Sequence, residues 1–242
     1  MRFTVPLAAC ALALLAGCTP TESVEDPGPV VNAAPRVTAG DDLEQRHADS
    51  TTSTTAPSPT PSSTPELPPG PSGHSFPVQP PDVASYSPAH HDYPATDIFA
   101  PCGSSVVAVA SGRVLEVSRT DEWTHSVNDG ATRGGLSITM STDDGVRYYG
   151  SHLQDVRPEV EPGVRVEVGQ EIGRVGDTGN AAGTGCHLHF GISPPCGLGD
   201  WQVRRGTIPP APYLDAWRAG DTTRSPAAEV RDWRQNNRAA CP

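Results

Sequence analysis

The chain contains no lysine: all 17 of its basic residues are arginines, and its 28 acidic residues give a formal net charge of −11. Nucleic-acid-binding domains carry basic surfaces that neutralise phosphates, so this charge balance argues against a nucleic acid as partner. Aromatic residues are also scarce, at 5% of the 242 residues. No Cys-x-x-Cys pair is present, and this absence argues against the common zinc-thiolate sites.

The apolar run near the start of the chain is too short to cross a membrane. It extends from Val5 to Leu15 after Arg2, whereas a spanning helix needs about 20 apolar residues. This pattern predicts a secretory signal over residues 1–17. The run ends in Leu-Ala-Gly-Cys18, which resembles the bacterial lipobox and implies a lipid on the Cys18 thiol. Such a lipid would anchor the protein to a membrane; an ordinary signal peptide is the alternative.

Residues 18–80 are predicted to be a disordered tether rich in proline, serine and threonine. The segment holds 13 of the 27 prolines, and Phe76 is its only aromatic residue. Such a composition cannot bury enough apolar surface to offset the entropy lost on ordering. A folded domain is therefore expected over residues 81–200, with a partly helical extension over residues 201–242 that packs on it.

Four cysteines remain for the folded part, because Cys10 leaves with the signal and Cys18 would carry the lipid. They are Cys102, Cys186, Cys196 and Cys241. Cysteines in an exported domain most often form disulfides, and four of them allow three pairings. A Cys196–Cys241 bond is favoured, because it would pin the C-terminal segment to the core. Zinc ligation by thiolates is the alternative.

The predicted secondary structure is mostly β. Short runs of β-branched and alternating residues occur at 105–110, 113–117, 136–140, 146–149, 164–168, 171–176 and 186–193. Gly and Asp turns separate them, as in an all-β antiparallel sandwich or barrel. Helical patterns are confined to the C-terminal extension, at 212–219 and 227–238.

Two histidines lie one residue apart within the last predicted strand. Because successive strand side chains point to opposite faces, His187 and His189 share one face while Leu188 and Phe190 share the other. Imidazoles on one face and bulky apolar groups on the other are typical of one wall of a metal site. A pair of structural histidines is the alternative for an isolated His-x-His pattern.

Two further segments add histidines and carboxylates to this pattern. They are residues 90–97, which begin His-His-Asp and end at Asp97, and residues 148–153, which contain His152. Catalytic zinc typically takes three protein ligands from His, Asp or Glu and leaves a fourth position for water. A neighbouring histidine can then transfer protons or stabilise an oxyanion. The three segments together therefore predict a catalytic zinc site.

These motifs resemble the lysostaphin/LytM-type zinc metallopeptidases of bacterial cell walls. The resemblance spans roughly residues 88–195 and keeps the motifs in the family's order, with Gly-rich approaches at 176–180 and 183–185 before the His-x-His strand. It implies the duplicated hybrid motif as the antiparallel β fold and Zn²⁺ as the cofactor. It also implies that Asp97 and His189 bind the metal, while His152 and His187 act on protons and the oxyanion.

The first zinc ligand departs from the family's spacing, because the family usually places it four residues before the aspartate. Here His91 lies six and His90 seven residues before Asp97. His91 is favoured, since an even separation keeps both side chains on one face of an extended stretch. His90 remains the alternative for the histidine, and Asp92 is a weaker option for the carboxylate.

The resemblance implies a zinc-dependent endopeptidase that hydrolyses peptide bonds in peptidoglycan with water as nucleophile, held in the cell envelope by lipid on Cys18. The expected partners are a peptidoglycan peptide and the membrane, and the protein is expected to be monomeric. A catalytically silent wall-binding or regulatory module that activates a separate hydrolase is the alternative, and the need for an activating protein partner stays open.

A biotinyl or lipoyl carrier is excluded, since its cofactor attaches to lysine. Arg204-Arg205 is expected to be a solvated pair.

Overall fold

The computed structural model describes residues 72–197 and 199–241. Eleven short strands lie within them. The strands are β1 Val78–Gln79, β2 Ser85–Tyr86, β3 Thr96–Phe99, β4 Ser105–Val107, β5 Gly112–Ser118, β6 Ser137–Ser141, β7 Arg147–Ser151, β8 Leu153–Val156, β9 Arg165–Val166, β10 Glu171–Val175 and β11 His187–Ser193. Three α-helices follow: α1 Trp201–Arg204, α2 Ala211–Arg218 and α3 Ala227–Asn236. Single 3-10 turns occupy Pro81–Val83 and Gly179–Ala181.

The strands form two antiparallel sheets. The larger has the order β2-β3-β11-β7-β6-β5-β9, and the smaller has the order β1-β4-β10-β8. Every strand pair in the two sheets is antiparallel. The all-β prediction with a helical C-terminal extension is therefore confirmed. None of the helices in the described part of the chain has the length and hydropathy of a transmembrane span.

One apolar core joins the two sheets. It contains Val106 and Ile172 of the smaller sheet together with Ile138, Leu188 and Phe190 of the larger. Leu188 and Phe190 are almost fully buried, so each contributes about 1.5–3 kcal/mol relative to an exposed side chain. Their burial fixes which face of β11 meets the core. The alternation of the strand then leaves the two histidines of β11 on the other face.

The folded part begins before residue 81, so the predicted end of the tether is wrong. Phe76 and Val78 are buried, and β1 pairs with β4 through Val78 and Val106. His74, which would be solvated in a tether, stacks on Trp217 with ring centroids 5.1 Å apart. Phe76, Val78 and His74 thus pack against a sheet edge and a helix. The average composition of the 63 residues from 18 to 80 does not reveal so few packed side chains. The signal peptide, Cys18 and the tether up to residue 71 lie outside the described residues.

The C-terminal extension packs on the core. Leu214 and Trp217 of α2 and Val230 of α3 are buried members of the apolar cluster. Cys196 forms a disulfide with Cys241, as expected, and Cys102 pairs with Cys186. The alternative that these cysteines ligate zinc is therefore wrong. Helix α1 has no counterpart among the predicted helices, because four residues are too few to show a helical period.

Candidate active site

Strands β3 and β11 bring an aspartate and a histidine together. Their antiparallel register places His189 directly opposite Asp97 and His187 opposite Phe99. Directly opposite residues share a face of the sheet, with Cβ atoms about 5 Å apart. Nδ1 of His189 lies 2.9 Å from Oδ1 of Asp97. The two predicted ligands from separate motifs are thus adjacent, on the face of β11 that points away from the core.

The histidine that joins them is His90. Its Nε2 lies 3.8 Å from Oδ2 of Asp97, and one ligand atom from each of His90, Asp97 and His189 lies within 4.8 Å of the others. The side chain of His90 is only 10% exposed. Its backbone N–H donates to the carbonyl of Ala95 at 2.9 Å, which closes the loop that carries it.

His91, the favoured ligand from sequence, lies outside this group. Its side chain is 77% exposed, and its Nε2 lies 3.2 Å from Oδ2 of Asp92. The even separation between His91 and Asp97 does not place them on one face, because residues 91–94 form bends and β3 begins only at Thr96. The alternation of faces that links His91 to Asp97 requires an extended chain. The structure therefore brings His90, and not His91, together with Asp97 and His189.

The cluster fits a divalent metal such as zinc, whose catalytic sites use His and carboxylate ligands. Burial raises the pKa of Asp97, but the hydrogen bond from His189 and the neighbouring imidazoles outweigh it and lower that pKa to about 2. The carboxylate is therefore ionised at neutral pH. Burial lowers the pKa of His90, which favours the neutral imidazole that a metal requires.

A carbonyl from the C-terminal extension sets the orientation of His189. Nε2 of His189 lies 3.0 Å from the backbone oxygen of Arg205. When Nε2–H donates to this carbonyl, Nδ1 is the nitrogen that faces Asp97, and a metal bound in the cluster would take the place of its proton. The close approach depends on Gly191, where an added Cβ would lie 2.4 Å from the Arg205 oxygen.

The two predicted catalytic histidines face each other beside this cluster. The rings of His152 and His187 are 4.9 Å apart. Nδ1 of His152 lies 2.8 Å from the Thr178 oxygen, and Nδ1 of His187 lies 2.8 Å from the Gly185 oxygen. If both Nδ1–H groups donate to these carbonyls, each ring keeps Nε2 free.

The backbone at His152 is unusual. Its φ of +63° is left-handed, a conformation that non-glycine residues seldom adopt and that is found at functional sites. It turns the chain sharply between β7 and β8. Burial and, secondarily, the electrostatic influence of the neighbouring His189 lower the pKa of His152 to about 4. The ring is therefore neutral at pH 7 and able to accept a proton.

These residues line an open cleft of about 270 Å³. Its walls also include Arg133, Arg204 and Arg205. The expectation that Arg204-Arg205 is a solvated pair is wrong. Arg204 donates to Glu116 at 2.6 Å, and the guanidinium of Arg205 lies over the Tyr93 ring at 3.9 Å from its centroid. No sequence pattern marks these arginines, because their partners are distant in the chain.

The antiparallel β fold brings two histidines and a carboxylate together as candidate metal ligands, and two more histidines lie beside them. This arrangement is typical of a metallopeptidase. Residues 91–198 match the sequence model of peptidase family M23. This part of the chain is therefore similar to an M23 peptidase domain. Its matched segment covers β3 to β11 and with them all of the cluster except His90.

Among curated proteins, the chain is similar to the L-Ala--D-Glu endopeptidase of Bacillus subtilis (strain 168), with 31% identity over 127 residues. The match covers 50% of this chain and 34% of that protein, so the chain spans about a third of the length of this relative.

Solved structures with similarity include two peptidases. The catalytic domain of lysostaphin from Staphylococcus simulans is 25% identical, with a TM-score of 0.44, and the match covers 59% of this chain and 98% of that chain. A zinc-containing peptidase from Vibrio cholerae is 21% identical, with a TM-score of 0.41, over 59% of this chain and 40% of that chain.

Proposed function

We propose that the protein is a zinc-dependent endopeptidase that hydrolyses peptide bonds in peptidoglycan. The observation that carries the proposal is the convergence of His90, Asp97 and His189 within 4.8 Å, beside His152 and His187 in one open cleft. The M23 match over residues 91–198 supports the reaction class. The curated relative is named for an endopeptidase activity, which supports a peptide as substrate.

His90, Asp97 and His189 would hold the metal in this proposal. Bound there, zinc would supply a Lewis acid that lowers the pKa of water towards 7 and polarises a peptide carbonyl. Asp97 contributes a negative charge at neutral pH, because its pKa is about 2. The Arg205 carbonyl holds the ring of His189 in the orientation that presents Nδ1.

His152 and His187 would manage protons and charge on the reacting groups. With a pKa of about 4, the ring of His152 is neutral at pH 7, so its free Nε2 could accept a proton from the attacking water. When Nε2 of His187 also carries a proton, it would donate to the developing oxyanion while Nδ1–H donates to the Gly185 carbonyl. The ring centroids of His152 and His187 lie 4.9 Å apart, a separation that would let both act on one reacting group.

We further propose that the enzyme acts outside the cytoplasm, anchored by lipid on Cys18 and extended from the membrane by the tether. The apolar run, the Leu-Ala-Gly-Cys18 sequence and the proline-rich composition support this arrangement. The two disulfides of the folded part suit an oxidising compartment. A monomer is the simplest assembly, because all five site residues come from one chain.

The test is hydrolysis of purified peptidoglycan by the whole protein, followed as released amines and fragment masses with and without a zinc chelator. Chelator-sensitive release of peptide ends is expected, together with bound zinc. His187→Ala should abolish release while zinc is retained, whereas His125→Ala should leave both unchanged, because His125 is exposed and does not line the cleft. Bound zinc without release by the wild type would instead favour a wall-binding or regulatory module.

A further inference from the structure

The cleft is lined by three arginines and by the carboxylates Asp92 and Asp97, and two of the arginines form no ion pair among the described residues. Three arginines line it in a chain whose net charge is −11. Arg204 forms an ion pair with Glu116 at 2.6 Å. Within residues 72–197 and 199–241, no carboxylate forms an ion pair with Arg205 or Arg133. Arg205 and Arg133 therefore line the cleft without an ion-pair partner in the part of the chain that the structure describes.

Arg205 is held firmly in place. Its guanidinium carbon lies 3.9 Å from the centroid of the Tyr93 ring and 5.2 Å from that of Trp201. Stacking on aromatic faces restricts the side chain without satisfying its N–H donors. Its Nε is buried and has no hydrogen-bond partner among the described residues. Buried donors in folded proteins are nearly always bonded to protein groups or to ordered water, so Arg205 retains bonding capacity that its neighbours do not use.

Arg133 adds a second cation from another segment of the wall. Its Nε and Nη2 donate to the neutral side-chain oxygen of Asn128, at 3.1 and 2.9 Å. This contact orients the guanidinium but leaves its charge unbalanced. The backbone of Arg205 lies 3.0 Å from the ring of His189, so the position of Arg205 is tied to the proposed metal cluster.

We propose that the cleft recognises acidic peptides, and that Arg205, assisted by Arg133, binds a substrate carboxylate next to the bond that is cut. The planar guanidinium matches a carboxylate in charge and geometry. The carboxylate is either an acidic side chain or a free C-terminus, since both present the same group. This inference rests on the proposed function, because it names the substrate that the same cleft takes.

The test compares stem peptides prepared from peptidoglycan, as obtained and after amidation of their carboxylates. The whole zinc-loaded protein and its Arg205→Met and Arg133→Met variants are assayed for kcat/KM and, by calorimetry, for binding. Methionine keeps an apolar stem against Tyr93 and leaves the Arg205 carbonyl in the backbone. Arg231→Met is the matched control, because Arg231 is exposed on α3 and does not line the cleft. Zinc content and melting temperature are measured for each variant.

The wild type should prefer the free acids by about 10-fold to 100-fold in kcat/KM, the range of a charge-assisted hydrogen bond. Arg205→Met should lower cleavage of the free acids towards the level of the amidated peptides, so that the preference for the free acids is lost. Arg231→Met should keep the preference. Peptides with glutamine in place of glutamate, or with only the C-terminus amidated, then identify which carboxylate is bound.

Equal cleavage of both peptide forms by the wild type would overturn the inference and leave the proposed function standing. An equal loss on both forms in Arg205→Met would also overturn it, because a structural role predicts that result. Cleavage of neither form by the wild type would refute the proposed function. In that case the binding affinities measured by calorimetry would test the inference. Tighter binding of the free acids by the wild type, lost in Arg205→Met, would support it, and equal binding of both peptide forms would contradict it.

Discussion

The disulfide between Cys102 and Cys186 should contribute a large share of the stability of the folded part. It joins residues 84 positions apart, and it fixes the residue that immediately precedes His187 in β11. In the chain-entropy treatment, closing a loop of this length lowers the entropy of the denatured state, which stabilises the folded state by about 4.5 kcal/mol at 25 °C. The Cys196–Cys241 bond closes a span of 45 residues, for which the same relation gives about 4 kcal/mol.

Two double variants are compared. The first combines Cys102→Ser with Cys186→Ser, and the second combines Cys196→Ser with Cys241→Ser. Urea unfolding of the oxidised proteins should show a loss of about 4 kcal/mol in each, and the melting temperature should fall by roughly 8–16 °C. The zinc-free protein is used, so that metal binding does not add to stability. A loss below about 1 kcal/mol in the first variant would refute the entropic reasoning for that loop.

Three further predictions concern single side chains. His152→Ala should lower peptidoglycan hydrolysis by about 10²-fold or more with zinc content unchanged; undiminished hydrolysis would refute its role. Gly191→Ala should displace the extension's carbonyl, since its Cβ would lie 2.4 Å from that oxygen, and weaken zinc binding by about 10- to 100-fold in a competition titration; unchanged affinity would argue against the carbonyl's role. Burial lowers the pKa of His74 below its ordinary 6.5, so the unfolded state binds more protons and stability falls as pH drops below about 6.5. In urea unfolding, His74→Gln should lose less stability than the wild type between pH 7.5 and 5; equal slopes for His74→Gln and the wild type would contradict this.

Much of the fold could be predicted from local patterns. The alternation over 136–140 and the turn at Asp144-Gly145 predict the hairpin of β6 and β7, which the structure contains. The His-x-His strand is β11, with its histidines on the face opposite Leu188. These successes share a cause: a period of two is set by the strand backbone itself and is visible in the sequence.

The first metal ligand could not be predicted in the same way. Residues 91–94 bend, so the spacing between His91 and Asp97 carries no information about their relative faces. The hydrogen bond from the His90 N–H to the Ala95 carbonyl sets the loop geometry, and no residue-type pattern encodes it. The arginines of the cleft were missed for a related reason. Arg205 reaches the site only because the extension folds back against β11, where Gly191 makes room.

The boundary of the folded part shows how composition can mislead. Residues 72–80 share the proline-rich character of the tether, yet Phe76 and Val78 are buried and β1 extends the smaller sheet. Two apolar side chains are enough to order a short segment when a sheet edge is available to pair with it. The average composition of the whole segment does not report such a local gain.

The measurement that tests the account most directly is zinc content and chelator-sensitive peptidoglycan cleavage in His90→Ala and His91→Ala, measured side by side. The two substitutions are chemically identical and affect neighbouring residues, but only His90 lies with Asp97 and His189. The account predicts that His90→Ala loses zinc and cleavage, while His91→Ala keeps both. Retention of zinc and activity by His90→Ala, with their loss in His91→Ala, would contradict it.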